Sequence, residues 1–551
     1  MSNSDQEILL TMRNLQIEGF SEEKWHQIVK GVDLTLRRGE VLGLIGESGA
    51  GKSTVGIAAM GYAKPGCRIH GGSITFDGIE LTTASEGEKR LLRGSRIAYV
   101  AQSAAASFNP AHKLIDQFSE TVVEHNVGSR EEAYKDAKEL YRRIQLPDPD
   151  NIGFRYPHQV SGGQLQRAMT AMALSCRPDL IIFDEPTTAL DVTTQIEVLA
   201  TIRDIVAQFN AAAIYITHDL AVVAQMADHI KVMRHGETIE DAQTREMLES
   251  PKEAYTRSLW AVRSFRKSVT PPGYESTPIL KVQNVTATYA KGLPPVLKDV
   301  DFEVHRGYTV AVVGESGSGK STTARVITGL LQPQNGQVLF DGATLPANFR
   351  KRSKDQLRQI QMIYQMADTA INPRHQIRDI IGRPLSFYLG MEGQEKERRL
   401  HELMEMIEMD PNQYLDRLPS ELSGGQKQRI CIARALAAEP SFIICDEVTS
   451  ALDQLVAEGI LKLLDRLQQE LNLAYMFITH DLATVRAIAD EVIVMLQGKI
   501  VEQGPKDEVF NPPHHEYTEL LLSSVPEMDP DWMDNVMRKR KAKGGMSASG
   551  N

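Results

Sequence analysis

The nine-residue stretch GESGAGKST at residues 46–54 returns almost unchanged as GESGSGKST at residues 314–322. Each copy follows a short apolar run, VLGLI at residues 41–45 and VAVV at residues 310–313. A continuous apolar run that ends in a glycine-rich turn is typical of a buried strand in a mainly parallel sheet. The stretch therefore predicts an α/β fold, and its repetition predicts that this fold occurs twice in the chain.

Three further motifs repeat in the same order, and each second copy lies roughly 260 residues after the first. A period of that size indicates a duplicated domain and excludes a solenoid, whose repeats are about 20–50 residues long. The repeated motifs are SGGQLQR at 161–167 and SGGQKQR at 423–429, FDEPTTALD at 183–191 and CDEVTSALD at 445–453, and ITHDLA at 216–221 and 478–483.

The repeats divide the chain into four segments. We expect a first domain over residues 1–263, a linker over 264–278, a second domain over 279–526 and a polar, basic tail over 527–551. The linker, SFRKSVTPPGYESTP, is polar and contains three prolines, which is typical of an exposed connection. The basic run RKRKAK at 538–543 is most simply a solvated tail, with anionic lipid headgroups as the alternative partner.

Composition restricts the class of protein. The chain is 42% hydrophobic and 24% charged, close to average globular usage, and no apolar stretch approaches the ~18–20 residues that cross a bilayer. Its start lacks the pattern of a secretory signal, so we expect the protein in the cytosol. Its net charge of −11 disfavours nucleic acid as a partner, and its four scattered cysteines are expected to be free thiols.

The repeated glycine-rich stretch has the pattern G-x-x-x-x-G-K-[ST] of a phosphate-binding loop, or P-loop. Its backbone N–H groups converge on phosphate oxygens, the lysine reaches the β- and γ-phosphates, and the following hydroxyl binds Mg²⁺. The predicted ATP-binding residues of the two loops are Gly46, Glu47, Ser48, Gly49, Ala50, Gly51, Lys52, Ser53 and Thr54, and Gly314, Glu315, Ser316, Gly317, Ser318, Gly319, Lys320, Ser321 and Thr322.

Acidic pairs follow two further apolar runs, at the point where buried strands are expected to end. The first residue of each pair, Asp184 and Asp446, is predicted to hold the hydration shell of Mg²⁺. The second residue, Glu185 and Glu447, is placed to orient or polarise the attacking water. Both copies carry the full pair, so both are predicted to be catalytic.

A histidine followed by an aspartate ends the next apolar run in each copy. His218 and His480 are therefore placed to contact the γ-phosphate of a bound nucleotide. A histidine at such a position is more commonly a satisfied polar group of the core, but the same pair in both copies favours the functional interpretation.

The motif SGGQ decides among the classes of P-loop protein. A serine and two glycines before a helix form a second phosphate cradle from backbone N–H groups and the helix dipole. The motif stands as VSGGQ and LSGGQ, and with it the chain resembles the ATP-binding cassette (ABC) superfamily over nearly its whole length except the linker and tail. The signature residues are Ser161, Gly162, Gly163 and Gln164, and Ser423, Gly424, Gly425 and Gln426.

The resemblance implies a fold and a composite site. Each domain is expected to have a mainly parallel core sheet, an antiparallel β subdomain and a helical subdomain that carries the signature motif. The two domains would close head to tail around two ATP molecules, so that each P-loop faces the signature motif of the other domain. Fusion in one chain supplies both halves at high effective concentration, and hydrolysis would release the closed form.

The resemblance also assigns further residues at matching positions. The Q-loop glutamines are Gln102 and Gln365, and the D-loops are 189–191 and 451–453. The adenine-stacking aromatic is Tyr289 in the second copy, and in the first it is Phe20, with Trp25 as the alternative. The predicted catalytic residues are thus Glu185, Glu447, His218, His480, Gln102 and Gln365, and the predicted Mg²⁺ ligands are Ser53, Asp184, Gln102, Ser321, Asp446 and Gln365.

The two copies differ at two places near the site. Pro186 follows the first catalytic glutamate, whereas Val448 follows the second. The first Q-loop continues as SAAASFNP at 103–110 and the second as MADTAINP at 366–373, a difference that fits two different membrane partners. Neither difference removes a catalytic group, so both sites are expected to hydrolyse ATP.

The ends of the two copies resemble one branch of the superfamily, the oligopeptide, dipeptide and nickel importer ATPases. Each ends with a proline and then a Tyr-Thr pair, in SPKEAYTRSLW at 250–260 and NPPHHEYTELLLSSVP at 511–526. The resemblance implies two transmembrane permease subunits, an extracytoplasmic solute-binding protein and a peripheral place on the cytoplasmic face of a prokaryotic inner membrane. The solute would be a short peptide, a nickel chelate, glutathione or an opine.

Two other functions fit parts of the sequence. The fused ATPase of a sugar importer would have the same organisation, but one impaired cassette would then be expected. A ribosome-associated ABC translation factor would also have two cassettes and could use the basic tail, but its linker would be long, charged and helical. The expected cofactors are ATP and Mg²⁺.

Overall fold

The structure is a computed structural model that describes residues 7–21, 23–187, 190–261, 266–267, 277–290, 292–450 and 452–547, without the side chains of 261 and 541–547. The chain forms two compact units. The first unit is Met1–Ala261 together with Ser524–Asn551, and the second is Val262–Ser523. The C-terminal segment therefore belongs to the unit that carries the first set of motifs. Most of the predicted linker lies outside the described residues.

Ten strands of the first unit build two sheets. They are β1 (Ile8–Ser21), β2 (Lys24–Arg37), β3 (Val41–Ile45), β4 (Cys67–Phe76), β5 (Ile79–Glu80), β6 (Ile97–Val100), β7 (Leu180–Asp184), β8 (Ala212–Ile216), β9 (His229–Arg234) and β10 (Glu237–Gln243). The antiparallel sheet has the order β2-β1-β4-β5, and the larger sheet has the order β10-β9-β3-β8-β7-β6. In the larger sheet, neighbouring strands are parallel except for the β9–β10 pair.

Helices connect the parallel strands and form a separate group ahead of β7. The helices before the C-terminal segment are α1 (Lys52–Ala58), α2 (Glu86–Leu92), α3 (Ala104–Ser107), α4 (Leu114–Glu124), α5 (Arg130–Arg143), α6 (Gly162–Ala173), α7 (Val192–Phe209), α8 (Leu220–Met226), α9 (Thr244–Glu249) and α10 (Ala254–Ala261). The SGGQ motif opens α6, so the signature motif lies in the predicted helical subdomain.

The second unit repeats this plan. Its strands are β11 (Leu280–Ala287), β12 (Leu297–Val304), β13 (Thr309–Val313), β14 (Asn335–Phe340), β15 (Ala343–Thr344), β16 (Ile360–Ile363), β17 (Phe442–Asp446), β18 (Ala474–Ile478), β19 (Glu491–Leu496) and β20 (Lys499–Pro505). The sheet orders are β12-β11-β14-β15 and β16-β17-β18-β13-β19-β20, the same as in the first unit.

The helices of the second unit follow the same order with one extra short helix, α16, and one further helix ends the chain. They are α11 (Lys320–Ile327), α12 (Lys354–Gln359), α13 (Ala367–Ala370), α14 (Ile377–Pro384), α15 (Gly393–Met406), α16 (Pro411–Tyr414), α17 (Gly424–Leu436), α18 (Gln454–Leu471), α19 (Leu482–Ile488), α20 (Lys506–Phe510), α21 (Glu516–Leu522) and, in the first unit, α22 (Trp532–Ser547). Among the described residues, no helix is both long and apolar enough to cross a membrane.

A hydrophobic core lies between the two sheets of each unit. In the first unit, Leu10 and Phe76 of the antiparallel sheet pack with Val55 of α1 and with Leu42 and Ile214 of the parallel sheet. Parallel strands are covered on both faces, so their sequences are continuously apolar, and every residue of β3 and β8 is buried. The predicted fold, with its parallel core, antiparallel subdomain and helical subdomain, is confirmed in both units.

Candidate active sites

The first P-loop connects β3 to α1. Its first glycine, Gly46, has φ +142°, and a Cβ there would lie 2.0 Å from the backbone oxygen of Met233. Gly51 caps α1 at φ +94°. Only glycine combines this backbone with such a close approach, which explains why the loop carries glycine at both positions.

The P-loop lysine is fixed by the loop itself. Lys52 Nζ donates to the backbone oxygens of Gly46 and Glu47, at 2.7 and 2.8 Å. Lys320 Nζ donates to the equivalent oxygens in the second loop at the same two distances. Both lysines are buried. A positive charge is therefore held within a turn of backbone at a helix N-terminus, which is an arrangement suited to phosphate.

A hydroxyl and a carboxylate meet beside each lysine. Ser53 Oγ donates to Asp184 Oδ1 at 2.9 Å, and Ser321 Oγ donates to Asp446 Oδ1 at 3.2 Å. Burial raises the pKa of Asp446. Hydroxyl and carboxylate oxygens are hard ligands of the kind that Mg²⁺ prefers, so this donor set fits the predicted ion.

The glutamate after each aspartate has an unusual backbone. Glu185 has φ +49° and Glu447 has φ +51°, in the left-handed region that residues other than glycine rarely adopt. Strain of this kind is retained where surrounding structure enforces it and is concentrated at functional sites. The φ angles of the two glutamates differ by only 2° although Pro186 follows one and Val448, whose side chain is buried in an apolar core, follows the other.

Two polar side chains hold each glutamate carboxylate. In the first unit, Gln102 Nε2 donates to Glu185 Oε2 at 2.8 Å, and His218 Nδ1 lies 2.9 Å from Glu185 Oε1. Burial lowers the pKa of His218, but the hydrogen bond and charge of Glu185 outweigh it, so the pKa is raised. The structure thus brings together the predicted Q-loop glutamine, acidic residue and histidine in one cluster.

The second unit contains the same cluster with one longer contact. Gln365 Nε2 donates to Glu447 Oε2 at 2.7 Å, and His480 Nδ1 lies 3.4 Å from Glu447 Oε1. Burial acts to raise the pKa of Glu447, but the hydrogen bond and charge of His480, together with Lys320 and Gln365, lower the pKa overall. A carboxylate that stays ionised and is held by two neighbours can accept a hydrogen bond from water and orient it.

The signature serines cap their helices. Ser161 Oγ accepts from the backbone N–H of Gln164, whose side-chain oxygen accepts from the backbone N–H of Ser161, and Ser423 and Gln426 repeat the arrangement. This capping box fixes the glycine-bearing first turn of α6 and of α17. In the D-loops, Asp191 caps α7, whereas Ala189 and Ala451 lie outside the described residues.

The predicted adenine-stacking residues are exposed. The Tyr289 hydroxyl lies 3.0 Å from Thr322 Oγ1, so the ring stands beside the end of the second P-loop. Phe20 and Trp25 pack on each other, with ring centroids 5.3 Å apart. Both first-copy candidates therefore belong to one aromatic pair that spans β1 and β2.

Two kinds of contact were not predicted from the sequence. Tyr99 on β6 donates its hydroxyl to Asp184 Oδ2 at 2.7 Å, whereas Met362 occupies the equivalent position in the second copy. Tyr255 and Tyr517, from the Tyr-Thr pairs, accept from the P-loop N–H groups of Glu47 and Glu315, at 3.3 and 2.8 Å. The Tyr-Thr signal was visible in the sequence, but its contact with the P-loop was not.

Two P-loop domains with paired Asp-Glu strand ends and capped SGGQ helices define an ATPase of the ATP-binding cassette class. The ABC transporter family matches residues 29–188 and 297–450, and the family described as oligopeptide/dipeptide transporter, C-terminal region, matches residues 501–547. The chain belongs to the ABC transporter family, in its oligopeptide/dipeptide importer branch. It is the ATP-binding and ATP-hydrolysing subunit of such an importer.

Curated relatives match along almost the whole chain. The glutathione import ATP-binding protein GsiA of Escherichia coli O6:H1 (strain CFT073) is 37% identical over 95% of this chain and 90% of its own length. GsiA of Salmonella paratyphi A is also 37% identical, over 96% of this chain and 91% of its own. Among solved structures, cbiO1 from Clostridium perfringens is 29% identical over 43% of this chain and 91% of its own, with a TM-score of 0.39.

Proposed function

We propose that the chain powers the uptake of glutathione or a closely related short peptide. The observation that carries this proposal is the 37% identity to GsiA proteins over 95% of the chain. The oligopeptide-type region at residues 501–547 supports a solute of peptide character over a sugar. Two transmembrane permease subunits and an extracytoplasmic solute-binding protein complete the proposed importer, with this chain peripheral on the cytoplasmic face of a prokaryotic inner membrane.

The two cassettes, residues 1–263 and 279–526, are proposed to bind two ATP molecules in composite sites. Each P-loop would cradle the phosphates of one ATP, and the SGGQ helix of the other cassette would supply further N–H groups to the γ-phosphate. Preorganised N–H groups and a fixed lysine stabilise the charge that develops during phosphoryl transfer without reorganising at that moment.

Within each composite site, the glutamate cluster is proposed to carry out the proton chemistry. Glu185 would accept a hydrogen bond from the attacking water, Gln102 would hold the carboxylate in place, and His218 would contact the γ-phosphate. Their equivalents in the second site are Glu447, Gln365 and His480. The hydrogen bonds of Gln102 and His218 to Glu185 support these roles because they fix the direction in which the carboxylate points.

Mg²⁺ is the proposed metal, and it would neutralise phosphate charge when bound. The serine hydroxyl and aspartate carboxylate of each site, and the Q-loop glutamine, would hold it and its waters. Asp184 is buried and receives hydrogen bonds from both Ser53 and Tyr99, so its two oxygens are oriented before any ligand binds.

Tyr99→Phe is expected to weaken divalent-ion binding at the first site about tenfold, because a hydrogen bond to a buried charged group contributes about 1.5–3 kcal/mol. Titration with Mn²⁺ in the presence of ATP, followed by electron paramagnetic resonance, separates the two sites by affinity. The second site is expected to keep its affinity. Met362→Phe is the matched control, since that residue lies at the equivalent position. Two unchanged affinities in Tyr99→Phe would contradict the assigned role.

The transported solute is tested by uptake in cells that lack the gene. Uptake of radiolabelled glutathione is expected to fall to background and to return with the wild-type gene but not with the Glu185→Gln/Glu447→Gln variant. Excess unlabelled dipeptide, opine and nickel chelate are added as competitors. Unchanged glutathione uptake, together with lost uptake of one competitor, would overturn the glutathione assignment and identify the solute.

A further inference from the structure

Two segments leave the cassettes at equivalent positions in the chain. The first arm begins at residue 262, after the Tyr-Thr helix α10, and the structure describes it at Arg266 and Lys267. The second arm begins at Ser524, after the Tyr-Thr helix α21, and includes α22. The first arm belongs to the second unit, and the second arm belongs to the first unit. Each arm is therefore bound by the unit that carries the other cassette.

The second arm is recognised through one buried glutamine. Gln225 on α8 donates its Nε2 to the backbone oxygens of Glu527 and Asp529, at 2.8 and 2.7 Å. Its Oε1 accepts from the backbone N–H of Met533 at 3.0 Å. The side chain is 4% exposed, so one amide in a buried position uses both of its functional groups to bind arm backbone.

Side chains of the second arm complete this contact. Met533 is fully buried and Trp532 nearly so, which removes two large apolar side chains from water. Arg245 donates to both carboxylate oxygens of Asp531, at 2.8 and 3.0 Å. The segment that the sequence predicted to be a polar tail therefore begins with a buried, hydrogen-bonded contact, because its apolar residues precede the basic run.

The first arm makes the equivalent contact on the second unit. The backbone N–H of Lys267 donates to the oxygen of Ala487 on α19. Lys267 Nζ donates to Asp490 Oδ2 at 2.6 Å, and both side chains are 7% exposed. A buried ion pair is costly to break because it leaves one charge desolvated.

The two contacts lie at matching positions of the duplicated chain. The shared ITHDLA motif aligns α8 with α19, so that Ala487 is the residue of the second copy equivalent to Gln225. The same alignment makes Lys267 of the first arm equivalent to Asp529 of the second arm. The second arm is held by a side-chain amide on α8, and the first arm by a backbone hydrogen bond to α19 and an ion pair with Asp490 just after that helix. The occurrence of an arm contact at equivalent places in both copies indicates a docking surface that was duplicated with the unit and not an incidental contact of a chain end.

The docking helix is joined directly to the catalytic cluster. Asp219, the residue after His218, caps α8 by accepting from the backbone N–H of Ala221 at 2.9 Å. Asp481 caps α19 in the same way. Each arm therefore rests on the helix that positions the catalytic histidine of the cassette to which it docks.

We propose that the two arms are reciprocal tethers, each of which binds the helix after the catalytic histidine of the opposite cassette and keeps the two cassettes associated without nucleotide. The arm contacts use backbone hydrogen bonds, buried apolar side chains and an ion pair of this chain alone, so they require no ATP. The tethers would limit separation of the cassettes after hydrolysis and leave the composite sites ready to close again.

The tether is tested by cutting the linker in the folded protein. A specific protease site replaces residues 269–275 of the full chain, and the cut protein is passed over a size-exclusion column in EDTA without nucleotide. The two fragments are expected to elute together at the position of the uncut chain, whose mass is 61.2 kDa. Separation of the wild-type fragments under these conditions would overturn the proposal.

Variants in the two arms identify the contacts responsible. Met533→Asp places a charge at a fully buried position of the second arm, and Lys267→Met removes the ion pair of the first arm, so the cut fragments of the variant with both changes are expected to elute separately. Asn535→Asp adds the same charge at an exposed position of the same helix and is expected to leave the fragments associated. ATP binding by the uncut variants establishes that the cassettes remain folded, and truncation after Ser523 removes the arm without changing a cassette residue. Fragments that elute together in the Met533→Asp/Lys267→Met variant, and in the truncated chain that also carries Lys267→Met, would contradict the tether.

Discussion

The variant with both Glu185→Gln and Glu447→Gln is expected to hydrolyse ATP at least about 100-fold more slowly than the wild type, while it still binds ATP. A positioned acid or base typically contributes about 10²–10⁴-fold to a rate, and the amide cannot accept the proton. The substitution keeps the size of the side chain and one acceptor oxygen, which can serve either Gln102 or His218. ATP should therefore remain bound in a closed state that turns over slowly.

Two measurements separate this outcome from a loss of structure. Steady-state release of phosphate reports hydrolysis, and retention of labelled ATP on a filter reports the trapped state. Glu249→Gln together with Glu470→Gln is the matched control, because it removes two exposed glutamate charges away from the site. A wild-type rate of hydrolysis in the double variant would contradict the proposed role of both glutamates.

The elements around the site could be predicted from the sequence because short, fully buried strands have a strong signature. The run Val41–Ile45 was expected to be a strand and is β3, and the runs that end at Asp184 and Asp446 are β7 and β17. Parallel strands covered on both faces must be apolar at every position, so even five residues are recognisable. The groups that follow them are then placed at one edge of the sheet by topology alone.

Contacts between distant segments could not be predicted in the same way. Tyr99 has no motif of its own, and its partner Asp184 lies on the neighbouring strand, so the pairing appears only when the strand order is known. The docking of Met533 on the first unit also depends on the path of the chain after the second cassette. A basic run dominates the composition of that segment, and it conceals the apolar residues that precede it.

The strained glutamates show a third limit. The sequence identified Glu185 and Glu447 from their place after an apolar strand, but it gave no indication of their positive φ angles, since glutamate has no preference for that region. The residues that follow the two glutamates, Pro186 and Val448, differ. The two glutamates nevertheless have nearly the same φ angle, which makes the equivalence of the two sites a question for experiment.

Lys52→Ala and Lys320→Ala are each expected to lower ATP hydrolysis by about 10²–10³-fold, the loss seen when one preorganised charge stabiliser is removed. Each lysine is buried and held by two loop carbonyls at the same distances, beside a full set of the proposed catalytic residues. The two composite sites are proposed to share one closed state. Loss of phosphate binding at either site should therefore affect both.

Steady-state hydrolysis and ATP binding of the two variants, measured side by side, test this equivalence. Lys64→Ala and Lys499→Ala are the matched controls, since both lysines are exposed and each substitution removes the same charge. If Lys320→Ala keeps wild-type activity while Lys52→Ala abolishes it, the second site is not catalytic. Three differences beside it would then be the cause. They are the longer contact between His480 and Glu447, the valine after that glutamate, and the absence, among the described residues, of a tyrosine that donates to Asp446. Equal losses would instead mean that the shared glutamate geometry outweighs these three differences.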